Sequence, residues 1–262
     1  MPTDTAIPPV ASLLDLAGRR VLVTGASGNI GRAIAERLAS AGAAVVAHYN
    51  SDRDSAAGLM SRIAASGGEC TIVGADLSRP GDVDELFADL DRQGLRLDGL
   101  VNNAALQPVL PFDDIGAAEW REMQAANLDA AFLVLRAAAR RMTGGGAVVN
   151  IGSIEGRDPA AGHAHYAVSK AGLAMLTRAA ALELGPQGIR VNTASPGLID
   201  SEGLAAEWPD GVRRWVGKVP LGRLGTGADV ADAVLFLLSP AARWISGADL
   251  LVDGGMSSVP RW

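Results

Sequence analysis

Short runs of β-branched residues alternate with longer alanine-rich segments along most of the chain, a pattern typical of βαβ units built around a parallel sheet. The apolar runs predict seven strands, at about residues 20–24, 44–49, 70–75, 99–103, 147–151, 190–195 and 249–253. Helices are predicted between them, at about residues 29–41, 53–66, 80–92, 117–142, 164–185 and 228–238. This alternation predicts an α/β fold with a doubly wound, seven-stranded parallel sheet flanked by helices.

The chain has no internal repeat and no Pro/Gly/Ser-rich linker that would separate two cores. We therefore expect a single domain at residues 18–262, preceded by a flexible tail at residues 1–17. Prolines within the first ten residues favour a frayed start. Leu13, Leu14 and Leu16 are apolar enough to pack against the domain.

One long irregular stretch, at about residues 196–227, mixes glycines and prolines with tryptophans and charges. Loops of this length are often lids or binding loops. As such a loop, the stretch would place Leu204, Trp208, Val212 and Trp215 as an apolar wall over a bound substrate. The alternative is an ordinary short helix packed at the edge of the domain.

Composition and charge exclude several classes of protein. The 262 residues are 48% hydrophobic, which is enough for a large core, and the net charge of -6 argues against nucleic-acid binding. Cys70, the only cysteine, cannot form an internal disulfide. The start of the chain does not read as a secretory signal, and charges or glycines interrupt every apolar run before it could span a bilayer. We expect a cytoplasmic protein that does not enter membranes.

A glycine-rich turn, TGASGNIG at residues 24–31, joins the first predicted strand to the first helix. At this position in a doubly wound sheet, backbone amides and a helix N-terminus can meet a pyrophosphate. The residues predicted to contact a dinucleotide here are Gly25, Ser27, Asn29, Ile30 and Gly31. The alternative is a turn whose glycines serve only tight strand-to-helix packing.

The end of the second strand indicates which dinucleotide would bind. A carboxylate there accepts hydrogen bonds from a ribose 2′-hydroxyl and repels a 2′-phosphate. This chain has Tyr49 at that position, followed by the possible donors Asn50, Ser51 and Arg53. NADP is therefore favoured, and NAD remains open because Asp52 could turn inward.

Tyr166 and Lys170 are four residues apart in a predicted helix and so lie on the same face. An ammonium close to a phenol favours the ionised form, which lowers the phenol pKa from its usual value near 10. Such a phenol can both donate and accept a proton near neutral pH. The pair therefore indicates acid/base chemistry.

Two further polar residues have positions that suit this chemistry. Ser153 follows an apolar strand, at the sheet edge where ligands bind in open α/β folds, and its hydroxyl could donate to a substrate carbonyl. Asn127 lies within a predicted helix that its side chain does not favour, so it is a candidate for holding a relay water beside Lys170. The alternatives are a turn-forming serine and a solvent-facing asparagine.

Together these residues resemble the short-chain dehydrogenase/reductase family. The resemblance covers nearly the whole chain after the tail: TGASGNIG, ADLS at 75–78, NNAA at 102–105, Asn127, IGS at 151–153, YAVSK at 166–170, SPG at 195–197 and VDGG at 252–255. It implies a Rossmann-type sheet, reversible NAD(P)-dependent hydride transfer between a nicotinamide and a carbonyl, and often a tetramer.

The resemblance also implies a role for each matching residue. Tyr166 would be the acid/base and Ser153 would polarise the carbonyl. Lys170 would hold the nicotinamide ribose and lower the tyrosine pKa, and Asn127 would support the proton relay. Further cofactor contacts are implied for Asp76, Leu77, Asn103, Ala104, Pro196, Gly197, Ile199 and Ser201.

The chain departs from the family pattern in two places. Asn29 stands where a second glycine is usual, with Gly28 one place earlier, and Ala105 replaces the glycine of the commoner NNAG. The first change alters the backbone contacts of the turn, and the second brings a methyl group to the edge of the cofactor site.

The substrate is less well indicated. Similarity to 3-oxoacyl-thioester reductases leaves an acyl thioester open, but the uncharged turn before strand five favours a small free ketone or secondary alcohol. Polar residues between Ser153 and Tyr166 could contact such a substrate, the alternative being an exposed polar loop: Glu155, Arg157, Asp158, His163 and His165. The pair of histidines lacks a third ligand nearby, so no metal is predicted.

Two other functions remain open at this stage. One is an NAD-preferring dehydrogenase of a polyol or sugar, and the other is a nucleotide-sensing protein that kept the fold and lost catalysis. Long alanine-rich helices at 117–142 and 164–185 could bury their outer faces against another copy of the chain. A homo-oligomer, either a tetramer or a dimer, is therefore expected.

Overall fold

A computed structural model describes residues 7–259, and all seven predicted strands form in it. The strands pair in parallel in the order β3-β2-β1-β4-β5-β6-β7. Their bounds are β1 Arg20–Val23, β2 Ala44–Tyr49, β3 Cys70–Gly74, β4 Gly99–Asn102, β5 Gly146–Ile151, β6 Ile189–Pro196 and β7 Asp249–Val252. The order reverses between β1 and β4, so the predicted doubly wound sheet is confirmed, and a crevice opens at that point.

Helices cover both faces of this sheet. Their bounds are α1 Asn29–Ser40, α2 Arg53–Ala65, α3 Pro80–Arg92, α4 Ala117–Gln124, α5 Ala130–Ala139, α6 Ala164–Leu184, α7 Leu204–Glu207, α8 Pro209–Val216 and α9 Gly227–Leu238. Short 3₁₀ turns lie at Val10–Ser12, Phe112–Asp114, Ile154–Gly156, Gly185–Gln187, Pro240–Ala242 and Met256–Ser258.

Strand side chains alternate between two apolar clusters, one on each face of the sheet. In β1, Val21 and Val23 join the cluster that is packed under α1 and α9, whereas Leu22 joins the cluster under α3 and α5. The neighbouring positions are apolar because both faces of a parallel sheet are covered. The core therefore lies on both sides of the sheet, and the carboxyl ends of the strands are left for ligands.

Two segments differ from their predicted form. The helix predicted at 117–142 is broken by a π-helical turn at Ala125–Asp129, and its last part ends at Ala139. The stretch at 196–227 contains two short helices, α7 and α8. The alternative interpretation of short helices was therefore correct for part of that stretch.

Part of the predicted tail at residues 1–17 lies outside the described residues, and the domain boundary stays a prediction. Within residues 7–17, Leu16 is buried in the core, while Leu14 is partly exposed. The backbone NH of Ala241 donates to the carbonyl of Leu13 at 3.0 Å.

The outer faces of α5 and α6 carry exposed apolar side chains, including Phe132, Met175 and Leu182. The homo-oligomer expected from these helices stays a prediction. Among residues 7–259, no helix has the length and apolar character needed to cross a bilayer.

A chain of buried polar side chains ties α6 to the centre of the sheet. Asn102 Nδ2 donates to Asn150 Oδ1 at 2.9 Å, and Asn150 Nδ2 donates to Thr177 Oγ1 on α6 at 2.8 Å. Thr177 Oγ1 donates to the Leu173 carbonyl at 3.0 Å. Because a hydroxyl has one proton, Thr193 must donate to Thr177 across their 2.8 Å contact. The network links three strands to the helix that carries Tyr166.

We expect Asn150→Ala to lower the free energy of unfolding by about 2–3 kcal/mol, because it removes two buried hydrogen bonds of this network and leaves a cavity where the side chain was. Urea titration of the cofactor-free protein measures the change. Ser61→Ala, which removes an exposed hydroxyl bonded to the Ala57 carbonyl, should change it by less than about 0.5 kcal/mol. Equal stability of the two variants would contradict the role of the network.

Candidate active site

A cleft of about 1790 Å³ runs along the carboxyl ends of the strands. It is larger than the roughly 300–1,000 Å³ usual for one drug-sized ligand. Its walls come from the turn after β1, the ends of the central strands and the segment after β6. The size suits a dinucleotide and a small substrate together.

Most of the predicted cofactor-contact residues line this cleft: Gly25, Ser27, Asn29, Ile30, Gly31, Asn50, Ser51, Asp76, Leu77, Asn103, Ala104, Tyr166, Lys170, Pro196, Gly197, Ile199 and Ser201. Tyr49 is not among the lining residues. Its ring packs over Gly74, where an added Cβ would lie 2.9 Å from the tyrosine oxygen. Ser153 also lines the cleft, whereas Asn127 does not.

The glycine turn is shaped by close backbone contacts. Gly25 has a φ of +61°, which favours glycine. A Cβ on Gly31 would lie 2.2 Å from the Gly25 carbonyl oxygen, so only glycine fits there. Asn103 Nδ2 donates to the carbonyls of Thr24 and Gly25 at 2.9 and 3.0 Å. The Asn103 side chain thus holds the glycine turn in place. The first turn of α1 lines the cleft, and a helix N-terminus in this position suits a pyrophosphate.

The unusual Asn29 begins α1 and connects the two sides of the cleft. Its Nδ2 donates to the carbonyl of Asp200, in the segment after β6, at 2.6 Å. Gly28, before it, is the N-cap of α1, and an added Cβ would meet only the Gly25 oxygen, at 3.6 Å. The shift of the glycine therefore leaves the turn intact and adds a bond across it.

His48 at the end of β2 is a residue that the sequence analysis missed. The backbone NH of Gly25 donates to His48 Nδ1 at 3.1 Å, so Nε2 carries the proton and donates to the Ala75 carbonyl at 3.0 Å. Burial lowers the pKa of His48, which favours this neutral form. A single polar residue inside the apolar run AVVAHY was the signal that could have identified it.

The residues after β2 line the part of the cleft next to the glycine turn. Asn50, Ser51 and Asp52 are all on its wall. Asp52 Oδ1 accepts from the backbone NH of Ser55 at 2.9 Å and caps α2, and hydrogen bonding to Ser55 lowers the pKa of Asp52. Arg53 is exposed and does not line the cleft. The Asp52 carboxylate, which lines the cleft at the end of β2, therefore caps α2 by accepting from Ser55.

Ser153, Tyr166 and Lys170 come together at the inner end of the cleft. Ser153 follows β5 in extended backbone and is hydrogen-bonded to the Tyr166 side chain. Lys170 Nζ donates to the carbonyl of Ile151 at 2.8 Å and lies 5.6 Å from the centroid of the Tyr166 ring. The structure thus brings together the three residues that the sequence predicts to form one site, and their catalytic roles stay a prediction.

The electrostatics of this group differ from the expectation. Burial raises the pKa of Tyr166 to about 12; the hydrogen bond to Ser153 opposes this increase, and the Glu155 carboxylate adds to it. Burial also lowers the pKa of Lys170 to about 8. The predicted lowering of the phenol pKa by Lys170 is opposite in direction to this result. The reason is that the amine faces the ring and the Ile151 carbonyl, while burial disfavours both charged forms.

Asn127 lies in the π-helical turn and is buried, so the solvent-facing alternative is excluded. Its Oδ1 accepts from the NH of Leu106 at 2.8 Å, and its Nδ2 donates to the Leu106 carbonyl at 2.9 Å. Nδ2 is also 3.2 Å from Ser169 Oγ, which in turn donates to the Tyr166 carbonyl at 2.7 Å. The amide therefore holds a cleft-wall residue and braces α6. Its support of a proton relay stays a prediction.

The polar residues between Ser153 and Tyr166 have different environments. Glu155, Asp158 and His163 line the cleft. His165 is fully buried and is not a lining residue. Arg157 pairs with Asp249 at 3.2 Å. The alternative of a wholly exposed polar loop is therefore wrong for the three lining residues.

The predicted apolar wall is formed in part. Trp208 and Trp215 line the cleft, whereas Leu204 and Val212 do not. Residues not singled out from the sequence complete this side: Leu106, Gln107, Glu122, Lys218, Met256 and Val259. No three His, Cys, Asp or Glu side chains in the described part of the chain are arranged as metal ligands.

Comparison with known proteins places this chain in a family. The family model described as enoyl-(acyl carrier protein) reductase matches residues 25–257. L-rhamnose 1-dehydrogenase (NAD(P)(+)) of Azotobacter vinelandii is 39% identical over 249 residues, covering 92% of this chain and 97% of that protein. 3β-hydroxysteroid dehydrogenase 1 of Eggerthella lenta is 36% identical, covering 94% and 96%.

Solved structures agree. The crystal structure of a gluconate 5-dehydrogenase from Burkholderia cenocepacia, in complex with NADP and tartrate, is 31% identical with a TM-score of 0.89, covering 95% of this chain and 99% of that one. The chain therefore belongs to the short-chain dehydrogenase/reductase family, as an NAD(P)-dependent oxidoreductase with the Rossmann fold.

Replacing Lys170 by Met should reveal the burial of the amine through pH. Between pH 8 and about 10 the unfolded lysine stays protonated while the folded one loses its proton, so the wild type should gain stability relative to Lys170→Met as pH rises, by up to about 1.4 kcal/mol per pH unit. Denaturant unfolding at several pH values measures this.

The matched control is Lys218→Met, which removes an exposed ammonium and should not reproduce the trend. A stability difference between wild type and Lys170→Met that is constant from pH 7 to 10 would show that the buried amine keeps its proton.

Proposed function

We propose that the protein is an NADP-dependent enzyme that interconverts a small ketone and the corresponding secondary alcohol. The observation that carries the proposal is the grouping of half-buried Ser153 with buried Tyr166 and Lys170 in the same cleft as the glycine-rich turn. A nicotinamide dinucleotide, when bound, supplies the hydride for reduction or accepts it in oxidation. The residues of the chain supply binding, orientation and the proton.

In this proposal the Tyr166 hydroxyl donates a proton to the carbonyl oxygen during reduction and accepts one from the alcohol during oxidation. Ser153, which is hydrogen-bonded to that hydroxyl, donates to the same substrate oxygen. Lys170 is held by the Ile151 carbonyl beside the ring. A cation at this point favours the phenolate once charge develops on it.

Asn127 acts in this proposal as a positioning residue and supports the proton relay. Its amide links the cleft-wall residue Leu106 to Ser169, which braces α6 at the Tyr166 carbonyl. The π-helical turn that contains it interrupts the regular backbone bonding at this point.

The preference for NADP rests on the end of β2. Asn50 and Ser51 offer neutral donors on the cleft wall, and the nearby Asp52 carboxylate is engaged by the NH of Ser55. Neither neutral residue repels a 2′-phosphate as an outward carboxylate would. NAD remains the second candidate because Asp52 also lines this wall.

We expect Ser51→Asp to weaken NADP binding by about tenfold or more, because it puts a negative charge beside the 2′-phosphate, while NAD binding should change by less than about threefold. Titration of each dinucleotide by calorimetry measures both constants. Arg53→Ala, which removes an exposed side chain off the cleft wall, is the control. Equal losses for NADP and NAD would contradict the assignment of Ser51 to the 2′-phosphate.

The substrate class is proposed as a small free alcohol or ketone, with polyols and sugars as the favoured form. The names of the relatives support this choice, since they include a rhamnose dehydrogenase and gluconate dehydrogenases. A 3-oxoacyl thioester is the alternative from the sequence resemblance, and the family description, which names an acyl-carrier-protein reductase, also points to an acyl thioester. The polar lining residues Gln107, Glu155 and His163 favour a hydroxylated substrate.

Replacing Tyr166 by Phe should lower kcat by about 10²- to 10⁴-fold, because the proton donor is lost, while the Kd for NADP changes by less than about threefold. A carbonyl and alcohol panel read at the nicotinamide absorbance gives the rate. Tyr49→Phe removes the only other tyrosine hydroxyl and should keep the rate. Substantial turnover by Tyr166→Phe would contradict the mechanism, and a wild type that binds NADP but turns over nothing would favour the non-catalytic alternative.

A further inference from the structure

We propose that Glu155 makes the cleft selective for neutral substrates that carry a second hydroxyl close to the reacting carbon, such as a polyol or an unoxidised sugar, and against substrates that carry a carboxylate there. The inference rests on the proposed function, since it assumes that the reacting carbon lies at Ser153 and Tyr166. It assigns Glu155 as a specificity-determining residue.

The backbone fixes Glu155 relative to the reacting groups. Its NH donates to Ser153 Oγ at 3.1 Å, within the 3₁₀ turn Ile154–Gly156. Gly156 packs tightly against α6, because an added Cβ would lie 3.1 Å from the carbonyl carbon of Lys170. The turn that carries Glu155 is therefore pressed against the helix that carries Tyr166.

Two side chains hold the carboxylate in place. Gln107 Nε2 donates to Glu155 Oε1 at 3.2 Å, and His163 Nδ1 lies 2.8 Å from Oε2. The Glu155 and His163 side chains are each only 15% exposed. Each carboxylate oxygen has two lone pairs, so each oxygen can still accept one more hydrogen bond.

The Glu155 carboxylate has only acceptor positions left for a hydrogen bond to a ligand. An ionised carboxylate only accepts, and the donor atoms of Gln107 and His163 in these two contacts are already directed at it. A ligand atom that pairs with Glu155 must therefore be a donor. The hydroxyl of a polyol or sugar is such a donor, whereas a carboxylate is not.

Charge acts in the same direction. The charged residues that line the cleft near its substrate end are three carboxylates, Glu155, Glu122 and Asp158, and two amines, Lys170 and Lys218, so acidic groups are in excess. Arg157, the nearest arginine in sequence, pairs with Asp249. A substrate carboxylate beside the poorly exposed Glu155 would be repelled with little screening by water.

The test uses three compounds on one ring scaffold: cyclohexanol, 1,2-cyclohexanediol and 2-hydroxycyclohexanecarboxylate. The wild type with NADP⁺ should oxidise the diol with a kcat/KM about tenfold or more above the other two, as expected for one hydrogen bond to a charged group. Glu155→Gln should reduce both ratios to within about threefold. Glu202→Gln removes an exposed carboxylate that does not line the cleft and should preserve the ratios.

A binding measurement separates this inference from the proposed function. Calorimetric titration of each compound into the NADP⁺ complex should give the same order of affinity, lost in Glu155→Gln. If none of the compounds is turned over but this order is found, the proposed function fails, and only the part of the inference that concerns binding, the selection of ligands by Glu155, stands. Equal affinity for diol and hydroxy acid, no detectable binding of the diol, or unchanged ratios in Glu155→Gln would overturn the inference.

The pH dependence of alcohol oxidation distinguishes an electrostatic role of Glu155 from a merely structural one, because a structural role would leave it unchanged. The charged and titratable groups facing Tyr166 are Lys170 on its own helix, His163 before that helix and Glu155 after β5. Removing the Glu155 charge should shift the alkaline inflection of alcohol oxidation to lower pH, and Glu202→Gln should not. An unshifted inflection would place the carboxylate too far from Tyr166 to act on the substrate.

Discussion

The hydrogen bond from Lys170 Nζ to the carbonyl of Ile151 joins the helix that carries the phenol to the end of a central strand. An ammonium buried without a partner costs far more than most side-chain contacts contribute, so this bond decides where α6 can sit on the sheet. The buried bonds from Asn102 through Asn150 to Thr177 fix the same helix one step further along. The side chains of the candidate site thus owe their positions to polar groups inside the fold as much as to apolar packing.

Much of the fold could be predicted from the sequence because helices cover both faces of the sheet. Each strand is therefore a nearly continuous apolar run, which can be recognised in the sequence. The break at Ala125–Asp129 could not be predicted in this way, because a π-helical turn lies inside a continuous helical segment and no proline or glycine marks it here. The two short helices after β6 were not the first interpretation of that stretch, because each is short and the prolines and glycines around them are typical of a loop.

The features of the candidate site that could be predicted are those that depend on the spacing of residues in the sequence. The spacing of Tyr166 and Lys170 predicts that they share a helix face. It does not predict their burial, which raises the pKa of Tyr166 and lowers the pKa of Lys170. His48 and Asn127 act through backbone groups that are distant in sequence, Gly25 and Leu106. Such contacts leave no local pattern, so their partners emerge only when the strands are aligned.

In the proposed mechanism, the same burial lets the Glu155 carboxylate affect both proton transfer and substrate choice. Tyr166 is poorly solvated, so a nearby charge acts on it with little screening, and Glu155 adds to the increase in its pKa. A substrate bound between the two residues would replace the remaining water and strengthen that coupling. A ligand hydroxyl that donates to Glu155 would partly offset the carboxylate's charge and ease the ionisation of the phenol. Recognition of a neighbouring hydroxyl and activation of the reacting one would then be parts of one electrostatic arrangement.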